Sequence, residues 1–148
     1  MTDSPRSPYE ILGDEGVRRL VDRFYDLMES RQDAAGIRAM HAKKLDPMRD
    51  RLTVFLTGWM GGPSRYTERF GPTNVPSAHA PFDIGEAERD AWVACMEQAV
   101  SESSLPPDWA SQVMAKMRGM AEMCRTLDAD GAVRPQFAAL RSAAEKDA

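Results

Sequence analysis

His79-Ala-Pro-Phe-Asp-Ile-Gly-Glu-Ala-Glu-Arg-Asp-Ala-Trp-Val-Ala-Cys-Met96 places a histidine on a turn just ahead of an amphipathic helix. Pro81 cannot continue a helix from His79, so the imidazole sits on a short constrained segment. Asp83 and Glu86 have the spacing of a capping box, which predicts a new helix from near Ile84 to Ser103. Along it Ala91, Trp92, Cys95, Met96 and Ala99 share one face at helical period. An imidazole held this way beside an apolar face meets the needs of an axial iron ligand. More commonly such a residue is a hydrogen-bonded structural histidine, and local sequence alone leaves both readings open.

The chain has 148 residues, enough for one domain with a single core. Its 19 basic and 23 acidic residues, with no long basic run, argue against a nucleic-acid surface. No stretch approaches the roughly 20 apolar residues of a membrane span. The start, Met1-Thr-Asp-Ser-Pro-Arg-Ser-Pro8, lacks the apolar core of a signal peptide, so a cytoplasmic location is expected. Cys95 and Cys124 fall within helical patterns without CxxC spacing and read as small buried hydrophobes.

Outward from the central stretch, the segments that show a clear period show a helical one. Ser7-Pro8-Tyr9-Glu10 predicts a capped, very short helix that Gly13 stops. Asp14 opens a stronger one, with Val17, Leu20, Val21, Phe24, Tyr25 and Met28 on its apolar face. A buried Tyr25 must find a partner for its hydroxyl, either a backbone carbonyl or a bound ligand. Asp46 as a cap followed by Pro47 predicts the next start, and Met48, Leu52, Phe55, Leu56 and Trp59 repeat until Gly61-Gly62-Pro63. Residues 63–82, with four prolines and little periodicity, read as a long loop, and their aromatics favour a functional one. Trp109, Val113, Met117, Met120 and Cys124 mark the last major helix. No stretch alternates at period 2, so the fold class is all-α. The predicted domain spans residues 1–128, and 129–148 read as a tail that is weakly helical or partly disordered.

With these pieces in order, the chain resembles the group II truncated haemoglobins from about Gly13 to Met123. The resemblance is carried by Arg23-Phe24-Tyr25, by Phe55-Leu-Thr-Gly-Trp-Met-Gly-Gly-Pro63, by Tyr66, and by the opening stretch with His79, Glu88-Arg-Asp-Ala-Trp92 and Cys95-Met96. It implies a two-on-two helical sandwich around haem b, with helices near 14–29, 46–61, 84–103 and 107–126. It also implies His79 as the proximal iron ligand, its second ring nitrogen donating to a backbone carbonyl.

The same resemblance puts Tyr25 and Trp92 on the distal side as hydrogen-bond donors, and His41 beside them, able to donate or to approach the iron; a surface histidine at a helix end is the other reading of His41. Met48, Leu52, Phe55, Trp59, Phe82 and Ile84 would pack on the haem, with Tyr66 and Arg69 near its propionates. Met48 cannot donate, so polar contact with a ligand falls to Tyr25, Trp92 and His41. The chain departs from the family where arginines commonly precede the proximal histidine: here stand Pro76 and Ala78. Arg65, Arg69, Lys43 or Lys44 would have to serve instead.

The implied function is binding of dioxygen, nitric oxide or carbon monoxide at haem iron. Fixed donors in a water-poor pocket slow dioxygen release, which suits redox chemistry or sensing. Such chemistry includes nitric oxide oxidation and peroxidase-like turnover, and needs an external electron donor. A monomer or homodimer without nucleic-acid or membrane partners is expected. The contrasting function is a globin-fold interaction module that has lost its haem.

Overall fold

The computed structural model describes residues 5–72 and 74–146, and within them the all-α expectation holds: the only β pairing is an isolated bridge between Leu127 and Val133. The first four residues of the segment read against a signal peptide, and the last two of the tail, lie outside the described part. The helices are α1 (Pro8–Ser30), α2 (Ala35–Ala39), α3 (Asp46–Trp59), α4 (Tyr66–Phe70), α5 (Val75–His79), α6 (Glu86–Ser101), α7 (Pro107–Met123) and α8 (Pro135–Lys146). None is long and apolar enough to cross a membrane.

Ser7 caps α1 by accepting from the Glu10 N–H at 3.3 Å, with Pro8 at the first helical position. The Glu10 carboxylate completes the cap one residue further out, accepting from the Arg6 N–H at 2.8 Å. Gly13, at φ 67°, interrupts the helix where the sequence predicts a stop, and the two halves stay joined across the kink. The apolar face beyond it, Val17, Leu20, Val21, Phe24, Tyr25 and Met28, is buried throughout.

That face packs on α3 and α6, and α6 packs on α7, which makes the two-on-two sandwich. Methionine fills much of the space between: Met28, Met60, Met96 and Met117 are all essentially inaccessible. Each such side chain contributes about 1.5–3 kcal/mol through burial. The end of α3 docks onto the start of α1 through Gly61-Gly62. Gly61 takes φ 98°, and a Cβ on Gly62 would lie 2.6 Å from the Tyr9 ring.

Three expectations are corrected. Residues 63–82 are not a plain loop, because α4 and α5 are built into them; five-residue helices are too short to display a period. Asn74 starts α5 by accepting from the Ser77 N–H at 3.0 Å, and Pro76 sits in its first turn. Asp83 does not cap α6, since its carboxylate pairs with Arg141 at 2.9 Å; the helix begins two residues late, at Glu86, behind Gly85. Asp46 is the first helical residue of α3 rather than its cap, which is Leu45. Within the segment read as a tail, α8 inserts Phe137, which has no exposed surface.

Candidate functional site

A cavity of about 430 Å³ opens between the layers, within the size range of small-molecule and cofactor sites. Its walls are mostly apolar. The α3 face supplies Met48, Leu52 and Phe55; α4 supplies Tyr66; and the segment after α5 supplies Phe82 and Ile84. Tyr25, His41, His79 and Trp92 reach it from four different parts of the chain.

His79 is the last residue of α5, and its Nδ1 lies 2.7 Å from the Val75 carbonyl oxygen. A carbonyl only accepts, so Nδ1 carries the hydrogen and Nε2 is left with the lone pair. Nε2 has no hydrogen-bond partner among the described residues. His41 repeats the arrangement across the cavity, with Nδ1 2.8 Å from the Ile37 carbonyl oxygen. Burial holds the His41 imidazole below its ordinary pKa, reinforced by Arg38 and His79 and opposed by the Ile37 carbonyl. It is therefore neutral at pH 7 and belongs to the cavity wall rather than to a free surface.

Tyr25 is 3% exposed and stacks edge-on against both Phe24, at 5.0 Å, and His41, at 5.8 Å. Burial pushes its phenol up to about 12, although the Arg49 guanidinium over its ring pulls the other way. The hydroxyl makes no hydrogen bond among the described residues, so neither proton nor lone pairs are committed to the protein. Trp92 is held edge-on to Phe24 at 5.4 Å, and its indole N–H is likewise uncommitted. Both donors thus belong to residues that line one apolar cavity.

Two residues expected at the site lie away from it. Trp59 continues the Met48–Leu52–Phe55 stripe, but 11 residues beyond Met48 it stands about 16 Å further along the helix. It lines a separate depression with Met60 and Trp109 instead. The Arg69 guanidinium is stacked on Phe70, 5.1 Å from the ring centroid, and does not line the cavity. Lys43, Lys44 and Arg65 are also absent from its walls, Arg65 being paired with Asp14 at 3.3 Å.

Other residues line the cavity without having been singled out. Met120 and Cys124 belong to the α7 stripe, where sequence shows burial but not what the face is buried against. The Cys124 thiol is raised by burial to about 11 and remains protonated. Arg89 reaches the wall but is paired with Glu122 at 2.6 Å and Asp90 at 3.0 Å. Arg51 is different: it lies over Phe70, 4.8 Å from the ring centroid, and has no carboxylate partner among the described residues. Its position one residue before Leu52 marks it as a neighbour of the apolar stripe, a signal that sequence reading could have used.

No cluster of three or more metal-binding side chains occurs among the described residues. The apolar cavity, the free Nε2 of His79 and the unpaired cation at Arg51 fit haem, whose edge carries carboxylates.

Comparison with known proteins agrees. Residues 7–126 match the bacterial-like globin family. The group 2 truncated haemoglobin YjbI of Bacillus subtilis (strain 168) is 33% identical over 105 residues, covering 71% of this chain and 77% of that protein. The group II two-on-two haemoglobin of Agrobacterium tumefaciens is 34% identical with a TM-score of 0.77, covering 83% of this chain and 97% of its own. A cold-adapted truncated haemoglobin from Pseudoalteromonas haloplanktis TAC125 is 31% identical with a TM-score of 0.77, covering 80% and 97% respectively. The chain belongs to the bacterial-like globin family as a group II truncated haemoglobin, and its cofactor is the iron-bearing haem of that family.

Proposed function

We infer that this protein binds a small diatomic ligand, dioxygen foremost, at a haem iron held by His79. The observation that carries this is the His79–Val75 hydrogen bond, which fixes the tautomer and presents Nε2 to the cavity. Haem, held by His79, would supply an iron able to bind the ligand. Every polar contribution beyond that comes from the chain. Tyr25 donates its hydroxyl proton to the ligand, and Trp92 donates its indole N–H. Met48 and Leu52 exclude water, so that both hydrogen bonds act in a low-dielectric space.

His41 completes the distal wall from beside Tyr25. With Nδ1 bonded to Ile37, its Nε2 is left as an acceptor, suited to approaching the iron when no ligand is present. Phe82 and Ile84 support the proximal face. Arg51 takes the anionic edge of the haem, in place of the arginines that Pro76 and Ala78 replace.

Two donors predict slow release, which favours sensing or redox use over delivery; redox use draws electrons from an external donor. The test is the visible absorption of purified protein titrated with haemin, ferric and then dithionite-reduced, beside His79→Ala. A stoichiometric Soret band that the substitution collapses is expected. A band of equal strength in both proteins would refute proximal ligation. No saturable band in the parent would leave the haem-free interaction module.

A further inference from the structure

The match to the globin family ends at residue 126, yet the chain goes on to build α8. This C-terminal extension is bonded onto the few residues after His79. Arg141 Nε donates to the Ala80 carbonyl at 2.7 Å. Its Nη2 donates to the Phe82 carbonyl at 2.7 Å and to the Asp83 carboxylate at 2.9 Å.

At the last matched residue, just before the extension, the Thr126 hydroxyl donates to the Phe82 carbonyl at 2.6 Å and accepts from the Ile84 N–H at 2.8 Å. The Thr126 and Leu127 N–H groups both donate to the Ile84 carbonyl. Phe137, fully buried, anchors α8 from which Arg141 reaches. Phe82 N–H in turn donates to the His79 carbonyl at 3.1 Å, which joins this network to the histidine itself.

We propose that α8 is a proximal brace and that Arg141 is a positioning residue for His79. It acts through the Ala80–Asp83 backbone, not by touching the haem. A guanidinium fork that spans two carbonyls fixes their separation and direction, which a flexible point charge cannot do. The segment it fixes leads directly out of α5, a five-residue helix too short to be rigid alone. The orientation of the imidazole over the haem is then set in part by a helix outside the matched globin region. This role rests on His79 being the iron ligand.

The test compares the full-length parent with Arg141→Ala, Arg141→Lys and Asp83→Asn. Deleting α8 would also remove Phe137 from the core, so point substitutions are the sharper probe. Three readouts apply: the iron–histidine stretch of the ferrous protein by resonance Raman, the rate of haem transfer to excess apomyoglobin, and hydrogen exchange at the Phe82 and Ile84 amides of the haem-free chain.

Arg141→Ala is expected to shift or split the stretch. It should also raise haem loss and exchange on the order of tenfold, as expected for charge-assisted bonds shared with solvent. Arg141→Lys should recover part of this and Asp83→Asn nearly all of it, because Asp83 is a largely exposed partner. Parent-like values in all three readouts for Arg141→Ala would overturn the brace. A parent protein without a His79-dependent stretch would remove the ligand reading and the positioning role with it. Exchange in the haem-free chain would still decide separately whether Arg141 holds the segment.

Discussion

Replacing Tyr25 with phenylalanine isolates one hydroxyl. In the parent Tyr25 lines the cavity, and its hydroxyl bonds to nothing among the described residues. A hydrogen bond from such a donor to a ligand carrying negative charge is worth about 1.5–3 kcal/mol. At about 1.4 kcal/mol per factor of ten, Tyr25→Phe should speed dioxygen release by about 10- to 150-fold. Stopped-flow mixing of the dioxygen-bound protein with a carbon monoxide and dithionite solution reads this rate directly.

Because the hydroxyl has no protein partner, its loss should leave stability within about 0.5 kcal/mol of the parent, measured by urea unfolding of the haem-free chain. The two readouts must therefore separate. The phenol's elevated pKa adds a third condition. A tyrosine raised from 10 to about 12 contributes stability that is fully present below pH 10 and is lost as pH climbs through about 12. It thus stays a donor through neutral and mildly alkaline pH, and release should be flat there. If Tyr25→Phe left release within twofold of the parent, the hydroxyl would not reach the ligand and the donor assignment would fail. A stability loss of about 2 kcal/mol or more would mean that the hydroxyl is committed to the protein after all.

Arg51→Gln removes the unpaired cation at the cavity wall. Haem loss should rise by a few-fold, no more, because an exposed ion pair is worth about 0–1 kcal/mol; haem transfer to apomyoglobin measures it. Gly62→Ala places a methyl 2.6 Å from the Tyr9 ring and 2.8 Å from the Thr57 carbonyl, so thermal unfolding should show a loss of about 1–3 kcal/mol. His41, with its pKa held below 6.5 in the folded chain, contributes stability that is present above pH 6.5 and lost as pH falls through the folded value. Urea unfolding of the haem-free protein should weaken over that interval, and His41→Gln should flatten that part of the profile.

Long helices were legible in the sequence because each repeats its apolar face over several turns. The stripes on α1, α3, α6 and α7 were readable as burial, and Gly13 and Gly61-Gly62 as interruptions. Length along a helix is not readable as distance from a site, so the stripe groups Trp59 with Met48 although it lies about 16 Å further along α3. Nor did sequence distinguish a cation that faces the cavity from one that stacks beside it: Arg51 and Arg69 both lie over Phe70, and only Arg51 lines the wall. Asp83 and Glu86 had capping spacing, but the carboxylate was drawn to Arg141, a partner 58 residues away that no local pattern reveals.

That distant pairing bears on how His79 can be held at all. A helix of five residues falls well below the length at which a helix is stable in isolation, and Asn74 caps only its start. After His79 the chain leaves through Pro81, which donates no hydrogen bond of its own. Backbone bonds from Ala80 to Ser77 and from Phe82 to His79 close the exit of α5, but the Ala80 and Phe82 carbonyls that follow are met from elsewhere. Thr126, the last residue of the globin match, and Arg141, beyond it, meet them. The His79 side is thus the part of this cavity whose geometry depends most on residues far along the chain. Changes there should alter haem retention before they alter the distal hydrogen bonds, because Tyr25 and Trp92 are fixed by the packing of α1 against α6 and not by the extension.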